Sequence, residues 1–439
     1  MSTLSVITSI LEEYIYIKGA DFMDYLCGYI MPFFLLFVGL IFGLKYKFFY
    51  IFHPIKTFKT ILKNQRGGFK SLSLALAGTL GVGNIVGVAS AISMGGYGSI
   101  FWMWISAICA MSLKYAEVCL AMKYREKTID GYRGGAPYYI YSGFKNKTSK
   151  GFALFLSIIF ALLCVTNSLT TGNLVQINAV SSVLPISKLL FGLIFGTLCM
   201  AVILGGKKRI SGVNSVLIPL LALLYILICL FIILKNADAL PNVFSIIIND
   251  AFSGKSVCGG IFGFSVSSAL RYGVSRGVLS NEAGCGTSPC AHASSDSDSI
   301  HGQGCLGIFE VFVDTILLCT LTAIVIIVSN VPLSSNAMNI VISAFERFLG
   351  KFGSFFIGAS SILFAFATVC TQFFYGAESI SYISNSKWIL VFFKIAFLCI
   401  LIIGAIIPMA LMWQISDLVL AVMTIFNIIC LIFLFRDVK

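Results

Sequence analysis

Runs of about 20 apolar residues, each enough to cross a bilayer's hydrocarbon layer as a helix, recur from residue 24 almost to the end of the chain. The windows fall near 24–45, 71–94, 99–122, 152–180, 187–204, 212–234, 258–279, 304–329, 354–376, 388–407 and 414–435. Lipid offers no partner to a backbone N–H or C=O, so such runs must pair their polar groups within themselves as helices. A mean hydropathy of +0.97 leaves no soluble domain of ordinary size between them. The chain therefore reads as an all-α polytopic membrane protein with about 11 transmembrane helices.

The net charge of +12 could suggest a nucleic-acid partner, but the basic residues sit in short loops between spans, where membrane orientation explains them better. The stretch 45–70 carries seven Lys or Arg residues and no acid, and basic loops follow the third and fifth spans. All three share one side if every window crosses, and that side is expected to be the cytoplasm. The N-terminus, with Glu12, Glu13, Asp21 and Asp24 against Lys18, then lies outside the cell and the C-terminus inside, in the cytoplasmic membrane. No basic leader with a small-residue cleavage site opens the chain, so no removed signal peptide is expected. The 14 cysteines include no CxxC pair, and His53, His292 and His301 have no partner at metal-ligand spacing. Neither a structural metal nor a prosthetic group is expected.

The second window contains "ALAGTLGVGNIVGVASAI", residues 75–92, where glycines and an asparagine interrupt an otherwise apolar helix. Irregular backbone at membrane depth is tolerated only where it lines a cavity or is buried in protein, so Thr79 to Asn84 is expected to be unwound beside a cavity. Amides opening the outer half-helix can hold a carboxylate, and carbonyls closing the inner half can hold a cation. The competing reading is close helix packing, since Gly83 and Gly87 have small-xxx-small spacing. The seventh window is interrupted too, and Phe262, Gly263 and Ser265 there offer apolar walls, a hydroxyl and bare backbone to a small ligand. With the first window set aside, the interrupted ones open two groups of five, the hydropathy pattern of an inverted-repeat secondary transporter. The division is residues 1–70 for the extra helix and its flanks, 71–235 for one repeat and 236–439 for the other.

The stretches "GVGNIVGVASAISMGGYGSIFWMWISAICAMSLKYAEVCLAMKYR", "SRGVLSNEAGCGTSPCAHA", "FVDTILLCTLTA" and "LFAFATVCTQFFYGAES" together resemble the alanine or glycine:cation symporter family, the sodium:alanine symporters, from about residue 66 to 430. The resemblance implies the leucine-transporter fold, a 5+5 inverted repeat with broken first and sixth core helices, preceded here by one extra helix. It implies that the amides of Val82 and Gly83 meet a substrate carboxylate, that the Thr79 carbonyl meets its ammonium, and that Asn84 braces the break. Sodium is implied between the carbonyls of Ala77 and Leu80 and the hydroxyl of Thr368. Gln176 matches a family glutamine that could reach the ligand's polar end, or could be a satisfied interhelical hydrogen bond. Ala367 stands where the family usually has a second hydroxyl beside Thr368, and Thr371, one turn on, is a candidate substitute. Gln372 stands where the family commonly has tryptophan near the substrate side chain, and Tyr97 where it has proline.

Charged residues inside the spans need a reason, since each costs about 2.5–3.5 kcal/mol at the bilayer centre on insertion scales. Lys114 and Glu117 have the spacing of a local ion pair. Arg271, Arg276 and Glu282 read as running toward the cytoplasmic mouth, where an ion-paired gate with Glu117 or Glu378 could close it. Glu310 and Asp314 are four apart, spaced to share a proton, and "HASSDSDSIHGQG" reads as a solvated loop. The function implied is import of a small neutral amino acid with sodium, not an enzymatic reaction. Proton coupling, altered specificity and a non-transporting amino-acid sensor are the alternatives. A channel would need charged rings or a continuous polar helix face, and neither is present.

Overall fold

The computed structural model describes residues 25–63, 65–129, 131–252, 268–333 and 336–438. Helix α1 (Met31–Lys45) follows a wide π turn at Leu26–Ile30. Then α2 (Gln65–Thr79) and α3 (Val86–Gly95) share one apolar window and are separated by a break. Helix α4 (Ser99–Lys123) leads into a hairpin of β1 (Glu126–Thr128) and β2 (Gly131–Arg133), paired antiparallel with Glu126 opposite Arg133. Helix α5 (Lys150–Val180) passes through a π turn at Thr170–Leu174 and is followed by α6 (Lys188–Ile203), α7 (Gly206–Lys235) and α8 (Leu240–Ala251). The remainder is α9 (Ser268–Asn281), the five-residue α10 (Pro289–Ala293), α11 (Ile300–Ser329) with a π turn at Phe312–Cys319, α12 (Ala337–Leu349), α13 (Lys351–Ile383), α14 (Lys387–Gly404) and α15 (Met409–Phe433).

Among the described residues, eight helices are long and apolar enough to cross a membrane. Each apolar window overlaps a helix; the second falls on α2 and α3 together, and the seventh overlaps α9. Helix starts follow local chemistry: Ser149, Ser187, Ser299 and Asn336 each accept a hydrogen bond from a backbone N–H of the first turn of α5, α6, α11 and α12.

Helix α4 forms the centre, with 89% of its most apolar window buried, whereas 22% of the α14 window is buried and its remaining face suits lipid. The extra helix α1 lies against α4: Ser112 Oγ donates to the Gly39 carbonyl at 2.6 Å, and a Cβ at Gly39 would come within 2.7 Å of Cys109 Cβ. The basic loops gather at one end with the C-terminus. Lys45 Nζ donates to the Val438 carbonyl (2.7 Å), Lys123 Nζ to the Asp437 carbonyl (2.8 Å), and Lys147 pairs with the Asp437 carboxylate. Arg125 joins the same end through the Ser295 carbonyl (2.7 Å) and Asp298 (3.2 Å). At the other end of α4, Asp250 accepts the Gly98 amide at 2.7 Å, tying α8 to the turn between α3 and α4.

Candidate functional site: two broken helices and a buried polar seam

The α-helical ladder of α2 stops at Thr79, and a single 3-10 turn over Val82–Asn84 precedes α3. Asn84 holds this break. Its Oδ1 accepts the Gly81 amide at 3.2 Å, and its Nδ2 lies 2.7 Å from Asp314 Oδ1 and 3.0 Å from Ser280 Oγ. Ser280 in turn donates to Asp314 Oδ2 at 2.7 Å, and Thr322 Oγ1 donates to the Asn84 carbonyl at 2.9 Å. All of these side chains are buried, so the freed backbone is satisfied by side chains in place of water.

The second break follows α9. Glu282, Gly284 and Gly286 have φ of +48°, +84° and +76°, and no helix resumes until Pro289. Glycine adopts that region freely, whereas Glu282 is a non-glycine held in it inside the protein. The two breaks meet: a Cβ at Gly83 would stand 3.1 Å from Ser280 Cα, a contact that only glycine leaves unstrained.

Two other helices wall this junction. From α5, Gln176 Oε1 accepts the Val82 amide at 3.1 Å. From α13, Thr368 Oγ1 lies 3.2 Å from the Leu80 carbonyl. One turn further, Gln372 Nε2 lies 3.3 Å from the Gly78 carbonyl and 2.7 Å from Glu282 Oε1. Val82, Gln176, Leu80, Thr368, Gly83, Asn84 and Gln372 thus converge. The Thr79 hydroxyl bonds back to the Ala75 and Leu76 carbonyls at 3.4 Å, and Ala77 is buried in the same turn. Thr371 faces elsewhere, accepting from Asn214 Nδ2 of α7 at 2.7 Å. Phe262, Gly263 and Ser265 lie outside the described residues.

The cytoplasmic gate is corrected. Helix α9 runs alongside α4 in the same direction, with Gly273 beside Ser99, Gly277 beside Ser106, and the Asn281 carbonyl 3.0 Å from Lys114 Nζ. Arg271 and Arg276 therefore occupy the half away from the basic loops. Arg276 makes a two-pronged ion pair with Asp417 of α15, at 2.7 and 3.1 Å, beneath the Trp413 ring; Arg271 lies against Gly28. Neither pairs with Glu117, which accepts the Gly286 amide at 3.0 Å and a bond from Asn427, nor with Glu378, which pairs with Arg133 at 3.6 Å. Hydropathy alone could not show that α9 ends part-way along α4, because the break comes only in the residues after it, 282–288.

Lys114 likewise departs from the local reading. Its fully buried ammonium pairs with Glu310 at 3.3 Å and bonds Ser288 Oγ at 2.6 Å, leaving Glu117 to its own partners. Glu310 also meets His292 Nε2 at 3.0 Å, while Asp314 serves the Asn84 cluster, so these two carboxylates belong to separate networks. The loop before α11 is only partly solvated, since Ser295 and Ser297 are buried, as is Gln303 in the first turns of α11. Sequence reasoning missed Asp314 and Ser280 as partners of the junction. A signal for the second break was present in "NEAGCG", an acid between a helix and two closely spaced glycines.

The fold has solved counterparts. MhsT, crystallised in complex with L-phenylalanine, matches with a TM-score of 0.50 and 13% identity over 82% of this chain and 87% of its own. By sequence, the transporter YflA of Bacillus subtilis is 34% identical over 91% of this chain and 87% of its own length. The sodium/alanine symporter AgcS of Methanococcus maripaludis is 33% identical over 83% and 81% respectively. Residues 14–439 match the family model described as the sodium:alanine symporter family, and the chain, a multi-pass membrane protein, belongs to that family.

Proposed function

We propose that the protein imports a small neutral amino acid, alanine- or glycine-like, together with sodium, by alternating access around the junction of the two breaks. The observation that carries this reading is the meeting of α2, α3 and α9 at Gly83, Asn84 and Ser280, where half-helix ends converge deep inside the protein. The substrate carboxylate takes the amides of Val82 and Gly83, and its ammonium takes the Thr79 carbonyl. Gln176 Oε1, now on the Val82 amide, stands in for that carboxylate and turns aside when the substrate arrives. Sodium lies between the carbonyls of Ala77 and Leu80 and the Thr368 hydroxyl. Eleven crossings in a one-plus-five-plus-five arrangement, N-terminus outside and C-terminus in the cytoplasm of a plasma membrane, accord with the basic end of the molecule. Ligand and ion bias the transport cycle only through contacts that differ between its two faces.

Ala367 beside Thr368 favours a second reading, coupling to protons, because it removes one hydroxyl from the ion's surroundings. Uptake of labelled amino acids into liposomes under separate sodium and proton gradients distinguishes the two. Accumulation of alanine or glycine driven by sodium is the expected result; if neither gradient drives accumulation of any neutral amino acid, the symport reading is wrong. Asn84→Ala and Thr368→Ala are expected to abolish sodium-driven uptake with membrane insertion intact. Wild-type uptake in both would remove this junction as the transport site.

A further inference from the structure

One turn along α13 from Thr368, a second set of oxygens surrounds Gln372. Its Nε2 bridges Glu282 Oε1 at 2.7 Å and the Gly78 carbonyl at 3.3 Å. An amide N–H₂ between a carboxylate and a carbonyl stands where a small cation would be attracted by both. Turned over about its last torsion, the same side chain presents Oε1 to that point in place of Nε2. Gln372 Oε1 and the Tyr375 hydroxyl are buried without a hydrogen-bond partner, and the Tyr375 oxygen would lie 2.7 Å from a Cβ at Gly78. Two oxygens with unused lone pairs thus border a carboxylate and a helix-end carbonyl.

Charge points the same way. Among the described residues, Glu117, Glu282 and Glu310 are buried at 2% exposure or less around Lys114, the one lysine so buried. Lys114 is engaged by Glu310, and Arg276 by Asp417. The hydrogen bonds that Glu282 accepts come from neutral groups, the Gln372 amide and the Thr287 hydroxyl. A buried carboxylate lacking a positive partner is costly and draws a cation. The carbonyl end of α2, at Thr79, closes beside this point, and helix C-termini carry partial negative charge; the end of α9, at Asn281, is already taken by Lys114 Nζ. Asp314 lacks this combination, since Asn84, Ser280 and Thr315 donate to its oxygens, while Glu117 takes the Gly286 amide and Asn427 on Oε1 and has a buried Oε2 without a partner.

We propose that the Gly78 carbonyl, Glu282, Gln372 and Tyr375 form a second monovalent-cation site, separate from the one at Leu80 and Thr368; naming its ion as sodium rests on the symport reading. The ion displaces the Gln372 N–H₂, which swings away as Oε1 swings in. Filling the site ties α2, α9 and α13 together through one charge, so the ion joins the two breaks to the wall helix.

The test is equilibrium binding of ²²Na⁺ to the purified full chain without amino acid. The wild type is expected to bind two ions, and Glu282→Gln and Thr368→Ala one each. Glu282→Asp, which keeps the charge, guards against a Gln variant that fails to fold; it is expected to bind two ions with the second at least tenfold weaker. Two ions at wild-type affinity in Glu282→Gln, or unchanged affinity for both in Glu282→Asp, would overturn the site. A Glu282→Gln chain that keeps both ions yet loses amino-acid binding would also overturn it, assigning the carboxylate to the substrate's ammonium. A wild type that binds two sodium ions but accumulates no amino acid would instead strike the transport reading and leave this site standing.

Discussion

Lys114→Met is expected to lower stability by about 3–5 kcal/mol, the cost of leaving a buried carboxylate without its cation. Glu310 is fully buried, and the methionine would leave it to His292 and Ser288, neither of which carries a permanent charge. Ser288 and the Asn281 carbonyl would each lose a donor as well. Since whole domains are stable by only about 5–15 kcal/mol, such a loss shows as a large fall in melting temperature of the detergent-purified protein. The double variant Lys114→Met, Glu310→Leu removes both charges and is expected to regain most of the loss, because replacing a whole buried pair by apolar groups is often near neutral. If Lys114→Met melts like the wild type, the pair is not what holds α4 to α11 and the second break. If the double variant is no better than the single, the damage lies in packing and not in the stranded charge.

The second large effect is expected at Gly81, where fold and function separate. A methyl there would stand 2.6 Å from Gln176 Oε1 and 2.8 Å from Thr368 Oγ1. Both are side-chain ends and can yield, and φ of −127° is open to alanine, so Gly81→Ala is expected to insert and melt near normally. The groups that yield are those proposed to meet the substrate and the ion. Each displaced contact is worth roughly 0.5–1.5 kcal/mol, so together they lower apparent affinity by about 5- to 150-fold. Sodium-dependent uptake measured against alanine concentration checks this. Wild-type affinity would mean that substrate and ion do not pass between Gln176 and Thr368.

The first break was legible because its cause is local: glycines and an asparagine within six residues leave a helix few alternatives, and Asn84 supplies the cap. The second was harder. Its window contains glycines near residue 263, two more follow it at 284 and 286, and periodicity does not say which of them reaches mid-depth. The answer depends on how α9 packs along α4, a tertiary fact fixed by close approaches such as Gly273 to the Ser99 carbonyl. The same ignorance of depth sent Arg271 and Arg276 to the wrong end. Lys114 illustrates a different failure. An acid three residues away offered a local partner, whereas the real one, Glu310, lies 196 residues on and is brought there only by folding. Residue types named the chemistry well; partners distant in the chain could not be read from spacing.

The π turns at Thr170–Leu174 and Phe312–Cys319 carry a consequence for insertions. Each lodges one residue more than an ordinary turn would, and each sits just before or within a segment serving the junction: Gln176 follows the first, and Asp314 lies inside the second. Lengthening either by one further amino acid near its start, where the widened turn is already filled, would rotate everything beyond it by about 100°. In a surface loop such a change is absorbed; in these two stretches it acts as a dial, swinging Gln176 off the Val82 amide or Asp314 off Asn84 while composition and hydropathy stay almost the same.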